Sequence, residues 1–338
     1  MKTLRVGING FGRIGRVLFR AIAEAPEKNV EVVGINCLSD VNSMAHLLKY
    51  DSTQGRFKGE IKTEGEQLVV NGKVIKISHD RDPSKIPWSA WEVSVAMDCT
   101  GAFKKKEDFL KHIQAGAKKV LVSAPADGAD LTAVYGINHE SYDSAKHDIV
   151  SNASCTTNCL APIAKVLHEE FGIKKGMMTT VHSYTNDQQV LDAFHKDLRR
   201  ARAAAVSMIP TTTGAAKAVG KVLPELNGKI DGISIRVPTP DVSLVDLVFE
   251  SEKEVSKEAI NASLIKASEG SLKGVLSYTD EPLVSVDFMG NPFSSIADLS
   301  NTMVVGKNMA KVFSWYDNEM GFSNRMIDLA TYMAKKGF

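Results

Sequence analysis

The feature that most constrains this chain is Gly10-Phe11-Gly12-Arg13-Ile14-Gly15, a GxGxxG run set between two different periodicities. Ahead of it, Leu4 to Asn9 is short, branched and apolar, as a buried parallel strand should be. Behind it, Ile14, Val17, Leu18 and Ile22 recur at helical spacing, so Arg13 to Glu24 reads as an amphipathic helix. A second strand-like run follows at Val30 to Asn36. In such a unit the glycines allow a tight turn, close approach of backbone to a pyrophosphate, and close helix–strand packing. The helix start then offers unpaired N–H groups to the anion. A glycine turn can also be purely steric, but this context favours dinucleotide binding.

The alternation continues. Val93 to Cys99, Lys119 to Ser123 and His147 to Ser151 read as strands, and Leu110 to Ala115 lies on a helix between two of them. The first part is therefore expected to be α/β, a Rossmann-type doubly wound parallel sheet. After Ser151 the texture changes. Cys155 to Phe171 reads as a helix ended by Gly172, and longer strands follow at Met177 to Ser183, Gly232 to Val237, Val242 to Glu250, Leu283 to Phe288 and Ala310 to Tyr316. Helices interrupt them at Thr213 to Val222 and Lys257 to Ser268, a pattern that fits an α+β domain with a mostly antiparallel sheet. Asn324 to Lys336 is helical again.

The 338 residues suffice for about two domains. A net charge of +1 argues against a dedicated nucleic-acid or membrane-surface protein. No apolar run is long enough to span a bilayer, and the glycine turn arrives before a signal-peptide core could form. The four cysteines, Cys37, Cys99, Cys155 and Cys159, do not make a disulfide scaffold, so a reducing, cytoplasmic setting is expected.

The densest chemical signal is Ser151-Asn152-Ala153-Ser154-Cys155-Thr156-Thr157-Asn158-Cys159. It puts Cys155 at a helix start, where the dipole and free amides favour a thiolate. No second cysteine or histidine pair completes a zinc set, so no metal is expected. Cys159, one turn on, and Cys99, at a strand end, read as core residues. A thiolate wants a base, and His182 ends a strand and opens a polar loop. The basic run His195 to Arg202, the Thr211-Thr212-Thr213-Gly214 helix start and Arg236 at a strand end read together as sites for a phosphorylated substrate. One expected element is missing. The acid that usually ends the second strand and holds the adenosine ribose is replaced by Cys37, and Asp40 reads as the N-cap of a helix through Met44 to Leu48.

These motifs together resemble phosphorylating glyceraldehyde-3-phosphate dehydrogenase from end to end. They are Gly7 to Arg16, Ser151 to Cys159, His182 to Gln188, His195 to Arg202, Thr211 to Gly214, Arg236-Val237-Pro238 and Trp315 to Glu319. The resemblance implies oxidation and phosphorylation of D-glyceraldehyde 3-phosphate in glycolysis or gluconeogenesis, through a cysteine hemithioacetal and an acyl thioester. Cys155 would be the nucleophile and His182 the residue that activates it and relays protons. Gly10, Phe11, Gly12, Arg13, Ile14, Gly15, Cys37, Arg81, Ser123 and Asn318 would line the site of NAD, with NADP also possible. Thr185 and Arg236 would hold the substrate's phosphate, with Asp187 orienting Arg236. Ser154, Thr156, Arg200, Thr213 and Gly214 would hold inorganic phosphate. It further implies a dinucleotide-binding domain of residues 1–153 and 319–338, a catalytic domain of residues 154–318, and a homotetramer.

Three positions depart from the family pattern: Cys37 stands for Asp, Phe194 for Pro and Phe322 for Tyr. Two alternatives stay open at this point. One is the sister erythrose-4-phosphate dehydrogenase, suggested by Asp98 to Gly101 and Gln188 to Val190. The other is a non-catalytic relative that uses the basic loop for RNA.

Overall fold

In the computed structural model, which describes residues 3–338, Leu4–Asn9 forms strand β1 and Arg13–Glu24 forms helix α1, with the glycine turn between them. The strands that follow are β2 (Val30–Asn36), β3 (Tyr50–Asp51), β4 (Gly55–Arg56), β5 (Ile61–Glu64), β6 (Gln67–Val70) and β7 (Lys73–Ser78). After them come β8 (Val95–Asp98), β9 (Lys119–Val122), β10 (Leu131–Thr132) and β11 (Ile149–Ser151). Nine of these make one sheet in the order β10-β11-β9-β8-β1-β2-β7-β6-β5. Pairing is parallel from β10 to β7 and turns antiparallel only through β7, β6 and β5. Helices α2 (Val41–Lys49) and α3 (Lys106–Gln114) complete the unit, and the carboxylate of Asp40 caps α2 by accepting from the Ser43 amide.

The sheet grows outward from β1 in both directions, through β2 on one side and β8 on the other. In open parallel sheets a ligand binds at the C-terminal edge of such a switch point. Asn9, Asn36 and Asp98 stand in register there.

The second unit opens with α4 (Cys155–Phe171) and its sheet starts at β12 (Ile173–Ser183). Then come β13 (Ile209–Thr212), α5 (Ala215–Val222), β14 (Ile230–Val237), β15 (Ser243–Ser251), α6 (Lys257–Glu269), β16 (Leu276–Thr279), β17 (Ser295–Val305) and β18 (Met309–Tyr316), and the chain ends in α7 (Met320–Lys336), which from Ser323 on belongs to the first unit. The order is β13-β14-β12-β15-β18-β17-β16. Only β12–β14 and β16–β17 are parallel. Buried residues alternate strictly along β15, so one face of this sheet carries the core. Pro162 lies inside α4, whose turns are buried almost throughout.

Two sequence expectations need correction. Leu283 to Phe288 is not a strand: Ser285–Phe288 forms a 3-10 turn. The Asp287 carboxylate accepts from the Val284 amide at 2.8 Å, a local bond that competes with a sheet ladder, while Phe288 stacks on Trp315. The division into units also differs at its edges, because Val134–Asn138 and residues 319–322 cluster with the second unit. Gly136 lies against Val275 and Leu272, and Gly321 against the Phe293 carbonyl, which ties both segments there. Ser323–Phe338 clusters with the first unit, held by Lys28 on Asp328 at 2.5 Å and by His139 against Tyr332. The β5–β6–β7 meander and strands β13, β16 and β17 went unassigned in the sequence.

Gly15 is where the first unit tolerates least. A Cβ there would lie 2.1 Å from the Gly10 carbonyl oxygen, which is backbone and cannot swing away. Gly15→Ala should therefore destabilise the first unit by about 1–3 kcal/mol, the usual cost of forcing a methyl into a filled contact. Urea unfolding measures this, and an unchanged midpoint would contradict the packing.

Candidate active site

The cofactor cradle is built by three glycines with three different jobs. Gly10 sits at φ +91°, where a Cβ would meet the Thr100 amide nitrogen at 2.8 Å. Gly15 lets α1 close onto the turn. Gly12, the N-cap of α1, has nothing within 4 Å of where its Cβ would be, and no side chain caps the helix. That open space at a helix start suits a pyrophosphate, which a side chain at position 12 would displace. The residues present therefore fit a dinucleotide.

Beneath the cradle lies a buried polar network that the sequence reading missed. Asn36 Nδ2 donates to Asn9 Oδ1 at 2.8 Å, and Asn9 Nδ2 donates to Asp98 Oδ2 at 2.9 Å. Trp88 Nε1 donates to His112 Nδ1, which leaves His112 Nε2 to donate to Asp98 at 3.2 Å. The signal was available: each of three adjacent strands runs apolar or glycine for three residues and then ends on a polar one.

Other expected cofactor residues fall out as follows. The Arg13 guanidinium is turned to Asp51 at 2.6 Å, so its backbone at the helix start is what faces a phosphate, not its charge. Although burial acts to raise it, the Asp51 carboxyl is held well below the usual range by this arginine. Phe11 is buried, Ile14 and Cys37 are half-buried, and Arg81 is exposed. Ser123 bonds the Cys99 thiol, whose proton affinity burial and Asp98 push up.

The second unit assembles the chemistry. Ser154 caps α4 by accepting from the Thr157 amide at 3.1 Å, which starts the helix at Cys155. Parallel pairing of β12 with β14 sets His182 opposite Arg236. Cys155 Sγ lies 3.5 Å from His182 Nε2. His182 Nδ1 lies 2.7 Å from the Ser183 carbonyl oxygen, which only accepts, so Nδ1 carries the proton and Nε2 faces the thiol with its lone pair. Arg236 Nη1 donates to the same carbonyl at 3.1 Å and stands 3.0 Å from the ring nitrogen.

The electrostatics follow from burial and this arginine. Burial, reinforced by Arg236, lowers the pKa of His182 to about 3. Burial raises that of Cys155, while Arg236 and the Thr156 hydroxyl and amide pull it back. Burial thus opposes charge on either partner, while Arg236 favours a thiolate at Cys155 and opposes an imidazolium at His182. Cys155 keeps a partly exposed edge for a substrate. Cys159 has none, and burial pushes its thiol up to about 12, so it is a core residue.

Tyr316, absent from the expected set, completes the wall. Its hydroxyl lies 2.9 Å from both Thr156 Oγ1 and Thr180 Oγ1, and its ring meets His182 edge-on. Thr156 was expected to bind phosphate; here its hydroxyl faces Tyr316 and the thiol, and its backbone N–H also bonds the thiol.

Most residues expected to bind anions lie on the segment after His182. Arg200 Nε donates to Thr211 Oγ1 at 2.8 Å, and its Nη1 bonds Asp187. This corrects the expectation that Asp187 orients Arg236: its carboxylate is on Arg200, with His195 Nε2 at 3.5 Å. Thr185 is exposed and bonds Gln188 Oε1. Thr213 Oγ1 accepts from the Ala215 amide, and Gly214 is the N-cap of α5. Thr157 Oγ1 reaches the Ala215 carbonyl at 3.5 Å, which brings the starts of α4 and α5 together.

Family comparison is decisive. The NAD-binding domain model of glyceraldehyde 3-phosphate dehydrogenase matches residues 4–106, and the C-terminal domain model matches residues 154–318. The chain belongs to the glyceraldehyde-3-phosphate dehydrogenase family. It is 60% identical to "Glyceraldehyde-3-phosphate dehydrogenase 1" of Bacillus subtilis over 334 residues, 99% of either chain. "Glyceraldehyde-3-phosphate dehydrogenase" of Geobacillus stearothermophilus matches equally, at 60% over 334 residues and 99% of either chain. The enzyme of the same name from Xanthobacter flavus is 56% identical over 335 residues, 99% of this chain and 100% of the relative.

Asn318 belongs to a buried acidic turn. Its Oδ1 accepts from Ser183 Oγ at 2.9 Å and from Ser243 Oγ at 2.8 Å. Next to it, Asp317 accepts from the amides of Gly290, Glu319 and Met320. Asp241, 1% exposed, bonds Asp317, and its pKa is raised to about 9 by burial and then by Asp317 and Glu319. Asp241 is therefore protonated at neutral pH and donates to Asp317. The native state holds a proton that the unfolded chain releases near 3.8, so this group's contribution is complete below that pH and fades as pH rises towards about 9. Asp241→Asn keeps a donor and removes the titration. Its Tm should exceed that of the parent by a margin that widens from pH 5 to pH 9, and a constant margin would show that Asp241 is ionised in the native protein.

Proposed function

We propose that this chain is an NAD-dependent phosphorylating glyceraldehyde-3-phosphate dehydrogenase, converting D-glyceraldehyde 3-phosphate to 1,3-bisphosphoglycerate in glycolysis or gluconeogenesis. The observation that carries the reading is the Cys155–His182 contact, with the imidazole tautomer fixed so that Nε2 can take the thiol proton. The sulfur, so activated, attacks the aldehyde carbon to give a hemithioacetal. His182 then holds the proton of the new hydroxyl as the substrate is oxidised to an acyl thioester on Cys155. NAD, when bound, supplies the hydride acceptor. Inorganic phosphate attacks the thioester carbon, the acyl phosphate leaves, and the thiolate recovers its proton from His182.

Substrate phosphate is assigned to Arg236 and Thr185. Inorganic phosphate is assigned to Arg200, Thr213, Gly214, Ser154 and Thr156, with the Asp187 carboxylate bonded to Arg200. Residues 10–15, with Cys37, Arg81, Ser123 and Asn318, are assigned to the cofactor, NADP being a second possible ligand. The first unit is read as the dinucleotide-binding domain and the second as the catalytic one. Neither the erythrose phosphate reading nor the RNA-binding one gains from the full-length relatives, which carry the glyceraldehyde phosphate name.

The working form is read as a homotetramer. Val190, Leu191, Phe194, Leu198, Val206 and Met208 are all strongly exposed on one segment, an apolar patch that a second copy would cover. All four cysteines are free, in keeping with a reducing cytoplasm. No helix among the described residues is long and apolar enough to cross a membrane.

Phosphate-dependent NADH formation from glyceraldehyde 3-phosphate is the direct test. Cys155→Ser should lower it by several orders of magnitude with Tm preserved, because a serine hydroxyl stays protonated near neutral pH; full activity in that variant would end the proposal. Arg236→Leu and Arg200→Leu should separate the two phosphate sites. The first should raise the aldehyde KM most and the second should act on phosphate, each at about 1.5–3 kcal/mol for a lost charge-assisted contact. Identical effects on both substrates would refute the assignment.

A further inference from the structure

The end of β2 lacks the acid that usually holds the adenosine ribose of a dinucleotide. Cys37 occupies the place, and the nearest carboxylate in sequence, Asp40, has both oxygens on Ser43, at 2.9 Å to its amide and 2.7 Å to its hydroxyl. A neighbouring strand brings another acceptor to this place. Pairing of β2 with β7 sets Asn36 beside Ser78, and the Cys37 amide donates to the Ser78 carbonyl at 2.9 Å. His79 therefore stands beside Cys37 at the C-terminal edge of the sheet. Its Nδ1 lies 2.6 Å from the Cys37 carbonyl oxygen. A carbonyl only accepts, so Nδ1 donates to it, and in the neutral form of the ring the lone pair is at Nε2. Glu66, from the β5–β6 turn, brings a carboxylate to 3.7 Å from that nitrogen.

We propose that His79, backed by Glu66, is a specificity-determining residue for the cofactor: Nε2 accepts a hydrogen bond from the ribose 2′-hydroxyl, and the Glu66 charge opposes a 2′-phosphate. The arrangement restores across the β2–β7 pair both properties of the missing acid, an acceptor and a negative charge. Arg81 follows two residues later as the one cation between Asp80 and Asp82, so removing the Glu66 charge acts by lowering the repulsion that a 2′-phosphate meets.

The inference rests on the cofactor reading above, and equilibrium binding without substrate tests the two separately. Dissociation constants for NAD and NADP are measured by calorimetry on the purified full-length protein and on His79→Leu and Glu66→Gln. His79→Leu should weaken NAD about tenfold, roughly 1.4 kcal/mol, and NADP by less. Glu66→Gln, a change on an exposed turn that leaves the fold intact, should tighten NADP at least threefold more than NAD. Both lower the ratio of the NADP to the NAD dissociation constant. If NAD binds and the ratio stays put in both variants, His79 does not read the ribose. If the unmodified protein does not bind NAD, the cofactor reading itself fails.

Discussion

The short contact from His182 Nδ1 to the Ser183 carbonyl is the constraint on which the chemistry depends. It costs the imidazole its freedom to choose a tautomer, and what remains is a lone pair aimed at Cys155. A carbonyl one residue along the same strand can hold the ring this way only if the strand stays rigid. β12 is rigid because it is paired on both sides, parallel with β14 and antiparallel with β15. The core of the second unit is thus the frame of the catalytic tautomer.

Arg236 adds a tension to that frame. Its charge favours a thiolate at Cys155 and disfavours an imidazolium at His182, so it helps one half of the proton transfer and hinders the other. A dianionic group placed on Arg236 offsets the hindrance at His182, so the pair is most ready to ionise when a phosphorylated ligand is present. A residue assigned to binding therefore also shapes the timing of activation, which is reason to hold a guanidinium 3.0 Å from the base.

How much of this was legible in the sequence depended on how local the determinant was. The glycine turn, Cys155 at the start of α4 and His182 at the end of β12 are set by nearby residues, and the strand–turn–helix context made them readable. Partnerships across long sequence distances were not. That Asp187 turns to Arg200, and that the Thr156 hydroxyl faces Tyr316, is decided by strand register and by burial, neither visible in a motif. Leu283 to Phe288 misled for the opposite reason: its apolar pattern is real, but Asp287 closes a turn on its own backbone before a ladder can form. The erythrose phosphate alternative rested on short motifs, and it gave way only to likeness along the whole chain.

The network under the cradle and the acidic turn around Asn318 share one design principle. In each, a carboxylate with almost no exposure gathers several donors: Asp98 takes Asn9, His112 and Thr100, and Asp317 takes three amides and Asp241. A buried carboxylate is tolerable only when its lone pairs are filled, and filling them pins every loop that donates. The cofactor cradle and the Asn318 turn are held by hubs of this kind, while the segment from Thr185 to Gly214, assigned to the phosphates, is held by Arg200 through Asp187 and Thr211. The stiff parts are assigned to orienting the reacting groups. The exposed segment is assigned to the phosphates, ligands that must come and go in every turnover, and a site for such ligands gains from donors that water can replace.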